Sequence, residues 1–200
     1  MTNAQLIHKF LAGDMNAFNT LVWRWEKNLY NFVFRYIGNR EDAKDICQQT
    51  FIRVYRKLHH LRDVNRFSTW LFQIAVNLCR DEIKKQERRN SVSLEQLNEN
   101  NNGVESSLAG IKNDDQSDPE KRVNDHVLYD LINRALQNIP EEQRVVIIMK
   151  EYQGLKFTEI ADILETSVNT TKSRMYYGLT ALRKVFKQWK ITEESVRYEM

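Results

Sequence analysis

Turn-forming residues are scarce in this 200-residue chain, which has six Gly and two Pro. A β-rich fold uses Gly, Pro and Asn at its many turns, so this shortage argues for a helical protein with few corners. Cysteine is scarce as well. Cys47 and Cys79 form no C-x-x-C spacing, and the four histidines (His8, His59, His60, His126) do not join them at ligand spacing. A disulfide scaffold and a zinc site are therefore not expected, whereas reduced thiols are. The sequence has no phosphate-cradling Gly-rich loop, metal cluster or nucleophile elbow, so neither catalysis, a metal nor a cofactor is predicted. No stretch approaches about 18 unbroken apolar residues, and MTNAQLIHKFLAGD lacks the apolar centre of a secretion signal. A soluble, intracellular protein is expected.

One further absence is local. Charges nearly balance, with 30 Lys and Arg against 27 Asp and Glu, yet Thr166 to Thr192 contains no acid. That stretch carries Lys172, Arg174, Arg183, Lys184, Lys187 and Lys190. A charge run is usually a solvated face. The sharper reading is a helix that meets phosphates, from which a carboxylate would be repelled. With a pI of only about 8.8, a nucleic-acid surface has to come from such clustering rather than from net charge.

What is present is helical periodicity. Phe18, Leu21, Val22, Trp25, Leu29, Phe32, Val33 and Tyr36 step by threes and fours, between a stop and cap at Gly13–Asp14 and an end at Gly38–Asn39. A second helix, from about Glu41 to His59, turns Ala43, Ile46, Cys47, Thr50, Phe51, Val54, Tyr55 and Leu58 inward. A third begins near Asn65, turns Phe67, Trp70, Leu71, Ile74, Ala75, Leu78 and Cys79 inward, and runs into RDEIKKQERR. Leu6, Ile7, Phe10 and Leu11 suggest a short helix ahead of these. Residues 90–118 have no aromatic side chain and many Asn, Ser, Asp and Glu, so they cannot offset their ordering entropy by burial. They read as a flexible linker between domains.

A second block starts at Asp118–Pro119, a cap followed by the first helical position. Val123, Val127, Leu128, Leu131, Ile132, Ala135, Leu136 and Ile139 form its first apolar face. A helix opening at Pro140–Glu141–Glu142 follows and ends before Gly154. KFTEIADILETSVNTTKSRMYYGLTALRKVF then reads as helix, turn at Glu165–Thr166–Ser167, and helix, with Val168 locking the pair. The last helix turns Thr171 or Met175, Leu179 and Leu182 inward and shows Asn169, Thr170, Lys172, Ser173, Arg174, Tyr176 and Tyr177 outward. In a helix-turn-helix that outward end enters the major groove.

Four ordered motifs carry a family resemblance: DAKDICQQTFIRVYRKL, FSTWLFQIAVNLCRDEIKKQERR, LQNIPEEQRVVIIMKEYQGLKFTEIADIL and SVNTTKSRMYYGLTALRK. With their spacing the chain resembles the extracytoplasmic-function sigma factors of the sigma-70 family, over about residues 5–89 and 119–187. The resemblance implies an all-α protein of two small helical domains. Residues 1–89 would be the region 2 domain, 90–118 a linker, 119–187 the region 4 helix-turn-helix domain and 188–200 a tail with no assigned role. It implies a promoter-specificity subunit that binds core RNA polymerase, through the clamp helices of the largest subunit and the flap of the second-largest, and that binds promoter DNA. An anti-sigma factor would hold it inactive, in the bacterial cytoplasm or sequestered at the membrane.

By the same resemblance Asp42, Asp45, Gln48, Gln49 and Phe51 dock the polymerase, although their outward face would also serve mere solvation. Gln49 stands where the family often has Glu and Lys44 where an acid is common, so docking should lean less on charge and more on Phe51. Trp70, Asn77, Arg80, Lys84, Arg88 and Arg89 correspond to the minus-ten surface, with Lys85 in the same run and Arg53, Arg56, Lys57, Arg62 and Arg66 adding to it. Asn77 suits a flipped base, since an amide both donates and accepts, and suits equally a helix-interior cap at a break. The spacing of Trp70 favours the core over stacking. Asn169, Thr170, Lys172, Ser173, Arg174, Tyr176 and Tyr177 would meet the minus-thirty-five element. The competing reading is a stand-alone helix-turn-helix regulator whose first block dimerises or senses.

Overall fold

The structure, a computed structural model, describes residues 1–96 and 119–191, with side chains over 1–89 and 128–191. The chain runs α1 (Asn3–Leu11), α2 (Met15–Ile37), α3 (Arg40–Lys57), 3-10 turns at Leu58–His60 and Val64–Arg66, and α4 (Phe67–Gln96). It continues as α5 (Pro119–Gln137), α6 (Glu141–Ile147) with a π-helical turn (Ile148–Tyr152), α7 (Phe157–Leu164) and α8 (Val168–Gln188). No strand occurs among the described residues. The all-α expectation holds.

Local chemistry sets the boundaries. Thr2 and Gln5 form a capping box on α1, and Asp14, Asn39 and Ser167 accept backbone N–H groups at 2.9–3.0 Å to start α2, α3 and α8. Gly38 ends α2 at φ 82°, its N–H bonded to the Phe34 carbonyl at 2.8 Å. α4 runs past Arg89, where the sequence reading placed the linker, and on to Gln96. The cause is visible in the sequence: no Gly or Pro stops a helix until Gly103. The rest of the expected linker, 97–118, and tail residues 192–200 lie outside the described residues.

In the first block Trp25, Phe32, Phe67 and Phe72 meet edge to face at centroid distances of 5.0–6.0 Å. The expected inward faces are mostly buried, and Phe72 and Val76 join them. Leu11 and Tyr55, expected inside, are about half exposed. The end of α2 departs furthest from a one-sided helix. Phe32, Val33, Phe34, Arg35 and Tyr36 are all buried, and five successive positions circle more than a full helical turn. Such a segment must be covered on every side.

The second block supplies the missing cover. The Arg35 guanidinium lies over the Tyr129 ring at 4.8 Å and the Tyr152 ring at 4.0 Å. Gln137 donates to the Arg35 carbonyl at 2.8 Å, and the Tyr36 hydroxyl donates to Glu141. One hydrophobic core therefore runs through both blocks. At the seam, a Cβ on Gly38 would stand 2.8 Å from Gln137 Cδ. Gly38→Ala combines that clash with a left-handed backbone and should lower the unfolding free energy by about 1–3 kcal/mol in a urea titration.

Candidate nucleic-acid and polymerase interfaces

The C-terminal half builds a helix-turn-helix from α7, a three-residue turn and α8, at the positions read from the sequence. Ile160, Ala161, Ile163 and Leu164 bury one side of α7. Glu165 takes the left-handed conformation at φ 53°, a position where Gly or Asn is usual. Ser167 then caps α8. The inner side of α8 is Thr171, Met175, Gly178 and Val185, and Gly178 lets it approach α6 so closely that a Cβ there would lie 2.7 Å from Ile147 Cδ1. Leu179, expected inside, is 49% exposed. Along the second half of α8, Leu179, Leu182, Phe186 and Ile191 line a cleft with Arg183, Lys187 and Lys190.

That packing leaves Asn169, Thr170, Lys172, Ser173, Tyr176 and Tyr177 exposed together at the start of α8. The two tyrosine rings, 69% and 60% exposed, lie edge to face at 5.7 Å. Arg174 is placed differently from its neighbours. It is half-buried and donates to Glu142 of α6 at 2.7 Å.

On α4, Asn77 is exposed between the buried Val76 and Leu78. The helix runs through it without interruption, so it caps no break. Trp70 is half-buried, 6.3 Å from the Phe67 ring, in a cleft shared with Arg62, Arg66, Gln73 and Asp162. Lys84, Lys85, Arg88 and Arg89 are exposed further along. Acids of the second block face the nearer part of this edge. Arg66 donates to Asp162 at 2.6 Å, Gln73 donates to Glu165 at 3.1 Å, and Arg80 Nε lies 3.7 Å from Glu141. The Arg66 pair is more than half exposed on both sides, so it contributes at most about 1 kcal/mol.

On α3, Asp45, Gln48 and Gln49 are exposed. Asp42 turns inward, accepting from Gln86 of α4 at 2.9 Å. Its carboxyl is raised above the ordinary aspartate range by burial, then by Glu82 and Asp45. Phe51 lies half-buried in a groove of about 930 Å³ between α2 and α3, lined also by Trp23, Tyr30, Ile52 and Tyr55. Trp23 is 83% exposed. The sequence reading missed Trp23, Ile52 and Tyr55 as surface features. Its available signal was the i, i+3, i+4, i+7 stripe of Gln48, Phe51, Ile52 and Tyr55, which runs beside the buried face.

Residues 21–89 match the family model for sigma-70 region 2, and residues 129–182 that for sigma-70 region 4. The fold and these two regions define a sigma factor of the sigma-70 type. The chain is 32% identical over 183 residues to the ECF RNA polymerase sigma-E factor of Escherichia coli (strain K12), covering 91% of this chain and 93% of that one. It is 31% identical over 178 residues to the protein of that name from Haemophilus influenzae, covering 88% and 90%. It belongs to the extracytoplasmic-function sigma factor family. Two solved structures share the fold at 20% identity. CnrH in complex with the cytosolic domain of CnrY has a TM-score of 0.65 and covers 93% of this chain and 97% of that one. The sigma factor RpoE in complex with the anti-sigma factor NepR from Bartonella quintana has a TM-score of 0.62 and covers 85% and 96%. No helix among the described residues is long and apolar enough to cross a membrane.

Both cysteines lie in the first block's core. Burial, with a smaller effect of Glu26, pushes the Cys47 thiol up to about 12, and burial pushes Cys79 well above its ordinary value. The thiolate is the reactive form and is withheld at neutral pH. Iodoacetamide at pH 8 should leave both thiols unmodified in the native chain and alkylate both in urea, as read by intact mass.

Proposed function

We propose that this chain recruits core RNA polymerase to promoters through three surfaces of its own. Family membership makes it a promoter-specificity subunit and removes support from the stand-alone regulator. The observation that carries the residue assignment is the exposed cluster at the start of α8, polar, aromatic and free of acids, held out by a buried helix-turn-helix. Lys172 and Ser173 are placed to reach base edges of the minus-thirty-five element, with Asn169, Thr170, Tyr176 and Tyr177 around them. Arg174 must exchange Glu142 for DNA if it is to take part.

The exposed edge of α4 is the second surface. Asn77 offers an amide to an extruded base, and Lys84, Arg88 and Arg89 continue along the helix to follow the backbone of the strand. Trp70 supports this edge from its half-buried place beside Phe67 and is not an open stacking platform. The third surface is α3 with its groove. Asp45, Gln48 and Gln49 supply the polar contacts for the polymerase clamp helices, and Phe51, with the exposed Trp23, Ile52 and Tyr55, supplies the apolar ones. Asp42 acts through its bond to Gln86 more than by direct contact. The cleft at the end of α8 is the second block's candidate for the flap of the second-largest subunit. An anti-sigma factor is the inhibitory partner, as in the NepR complex of the structural neighbour.

The chain should form a stable complex with bacterial core polymerase on a size-exclusion column, and Asp45→Arg with Gln48→Arg should abolish it while the circular dichroism spectrum is unchanged. Lys172→Ala should weaken duplex promoter binding by the holoenzyme by about 1–3 kcal/mol, the worth of one good base contact. The binding isotherm checks it.

A further inference from the structure

The cleft along the second half of α8 draws all of its described lining from that helix and the residues directly after it. Leu179, Leu182 and Phe186 recur there at helical spacing, and Ile191 joins them just past the helix end. Its volume is about 730 Å³. Arg183, Lys187 and Lys190 stand along the same face, and among the described residues no carboxylate pairs with them. The helix also ends in a way that turns the chain toward this face. Lys190 is left-handed at φ 57°, and its N–H bonds the Lys187 carbonyl at 3.1 Å. The Ile191 N–H bonds the Phe186 carbonyl at 3.0 Å. Those two bonds make a Schellman ending, in which the residue after the left-handed one packs back on the last turn. Ile191 and Phe186 accordingly share the cleft. The chain leaves α8 turned across the cleft rather than on along the helix axis.

We propose that residues 193–200 fold back along α8 and occupy this cleft. Their sequence, EESVRYEM, is complementary to it. Acids are missing from Thr166 to Thr192 and return at Glu193 and Glu194, directly after the reversal. With Glu199 they bring three carboxylates to the three bases of the cleft, and Arg197 is the one cation among them. Val196, Tyr198 and Met200 bring apolar side chains to Leu179, Leu182 and Phe186, so that both sides lose apolar surface to water. The reach is sufficient. From Lys190 back to Leu179 is about 17 Å of helix, within the roughly 30 Å that residues 192–200 span when extended. This docking does not rest on the flap reading of the cleft. Where the flap takes the same cleft, it has to displace the segment.

The test uses the full chain with Glu199→Cys carrying a nitroxide, which the buried Cys47 and Cys79 do not take up. Paramagnetic broadening of isotope-labelled backbone amides reads where that end of the segment lies. Docked, it should erase the Thr180 and Leu182 amide signals and weaken that of Lys190 less. Leu179→Gln with Lys187→Gln alters the cleft at two exposed positions and so keeps the helix. In that variant the gradient should reverse, with the loss greatest at Lys190, beside the attachment. Loss already greatest at Lys190 in the unaltered cleft would overturn the docking and leave the cleft to the flap alone. A gradient that persists in the cleft variant would also overturn it, since something other than the cleft would then hold the segment. Mixing nitroxide-bearing chains with separately isotope-labelled chains covers the remaining occupant. Loss at Thr180 and Leu182 in that mixture would mean that the segment docks on a second copy, and would overturn docking within one chain.

Discussion

The arrangement depends on how the last turns of α2 are covered. A helix in a bundle normally buries one stripe, and Phe32–Tyr36 is buried all round. Arg35 sets the terms. Taking a guanidinium out of water costs several kcal/mol unless something replaces the solvent. Here the replacement is the Asn31 carbonyl of the same helix at 3.3 Å and the faces of Tyr129 and Tyr152, which come within reach only when α5 and the π-helical turn close over α2. Arg35 Nε stays without a hydrogen-bond partner, so the compensation is incomplete. The joint between the blocks is therefore aromatic and polar, with Gln137, Glu141 and Arg80 at its edges. Interfaces of that composition resemble those that form and part, more than the aliphatic interior on either side.

Charge placement follows from the same joint. The acids of the second block that reach the first lie on α6, α7 and the turn after α7, whereas α8 keeps its bases outward. A helix-turn-helix needs that division for its own purpose, since a carboxylate among Asn169–Tyr177 would meet phosphates spaced about 1.7 Å along the duplex axis. The division then gives the back of the same motif a negative face. The acids that meet the first block and the bases of α8 are thus divided between different elements of the second block.

Much of this was legible in the sequence because it is local. The three-and-four spacing placed the inner faces of α2, α3 and α4, the Asp14 cap placed the start of α2, and the turn at Glu165–Ser167 was found at its true position. What escaped needed a partner outside the local pattern. Phe34 and Arg35 fall off the inner stripe of α2 and are buried only because Tyr129 and Tyr152 come from more than ninety residues away. Leu179 fits the apolar stripe of α8 and is exposed because the helix turns Met175, Gly178 and Val185 onto its partners, which leaves Leu179 on the wall of a surface cleft. The π-helical turn at Ile148–Tyr152 has no sequence period of its own, and it delivers one of the two rings on Arg35. The site showed the same split. The residues of α8 expected to face outward are exposed except Arg174, whereas the Arg174–Glu142 pair and the acids facing α4 depend on tertiary approach.

The packing of the second block on the first does not cover all surfaces equally. The groove holding Trp23, Phe51 and Ile52 lies between α2 and α3, away from α7, and is open in the closed chain. So is the start of α8. Beside and along α4, Arg66, Gln73 and Arg80 reach carboxylates of the second block, whereas Asn77, Lys84 and Arg89 stay exposed. The joint between the blocks thus occupies the Arg66, Gln73 and Arg80 side of α4 and leaves α3, the start of α8 and the outer residues of α4 open to solvent.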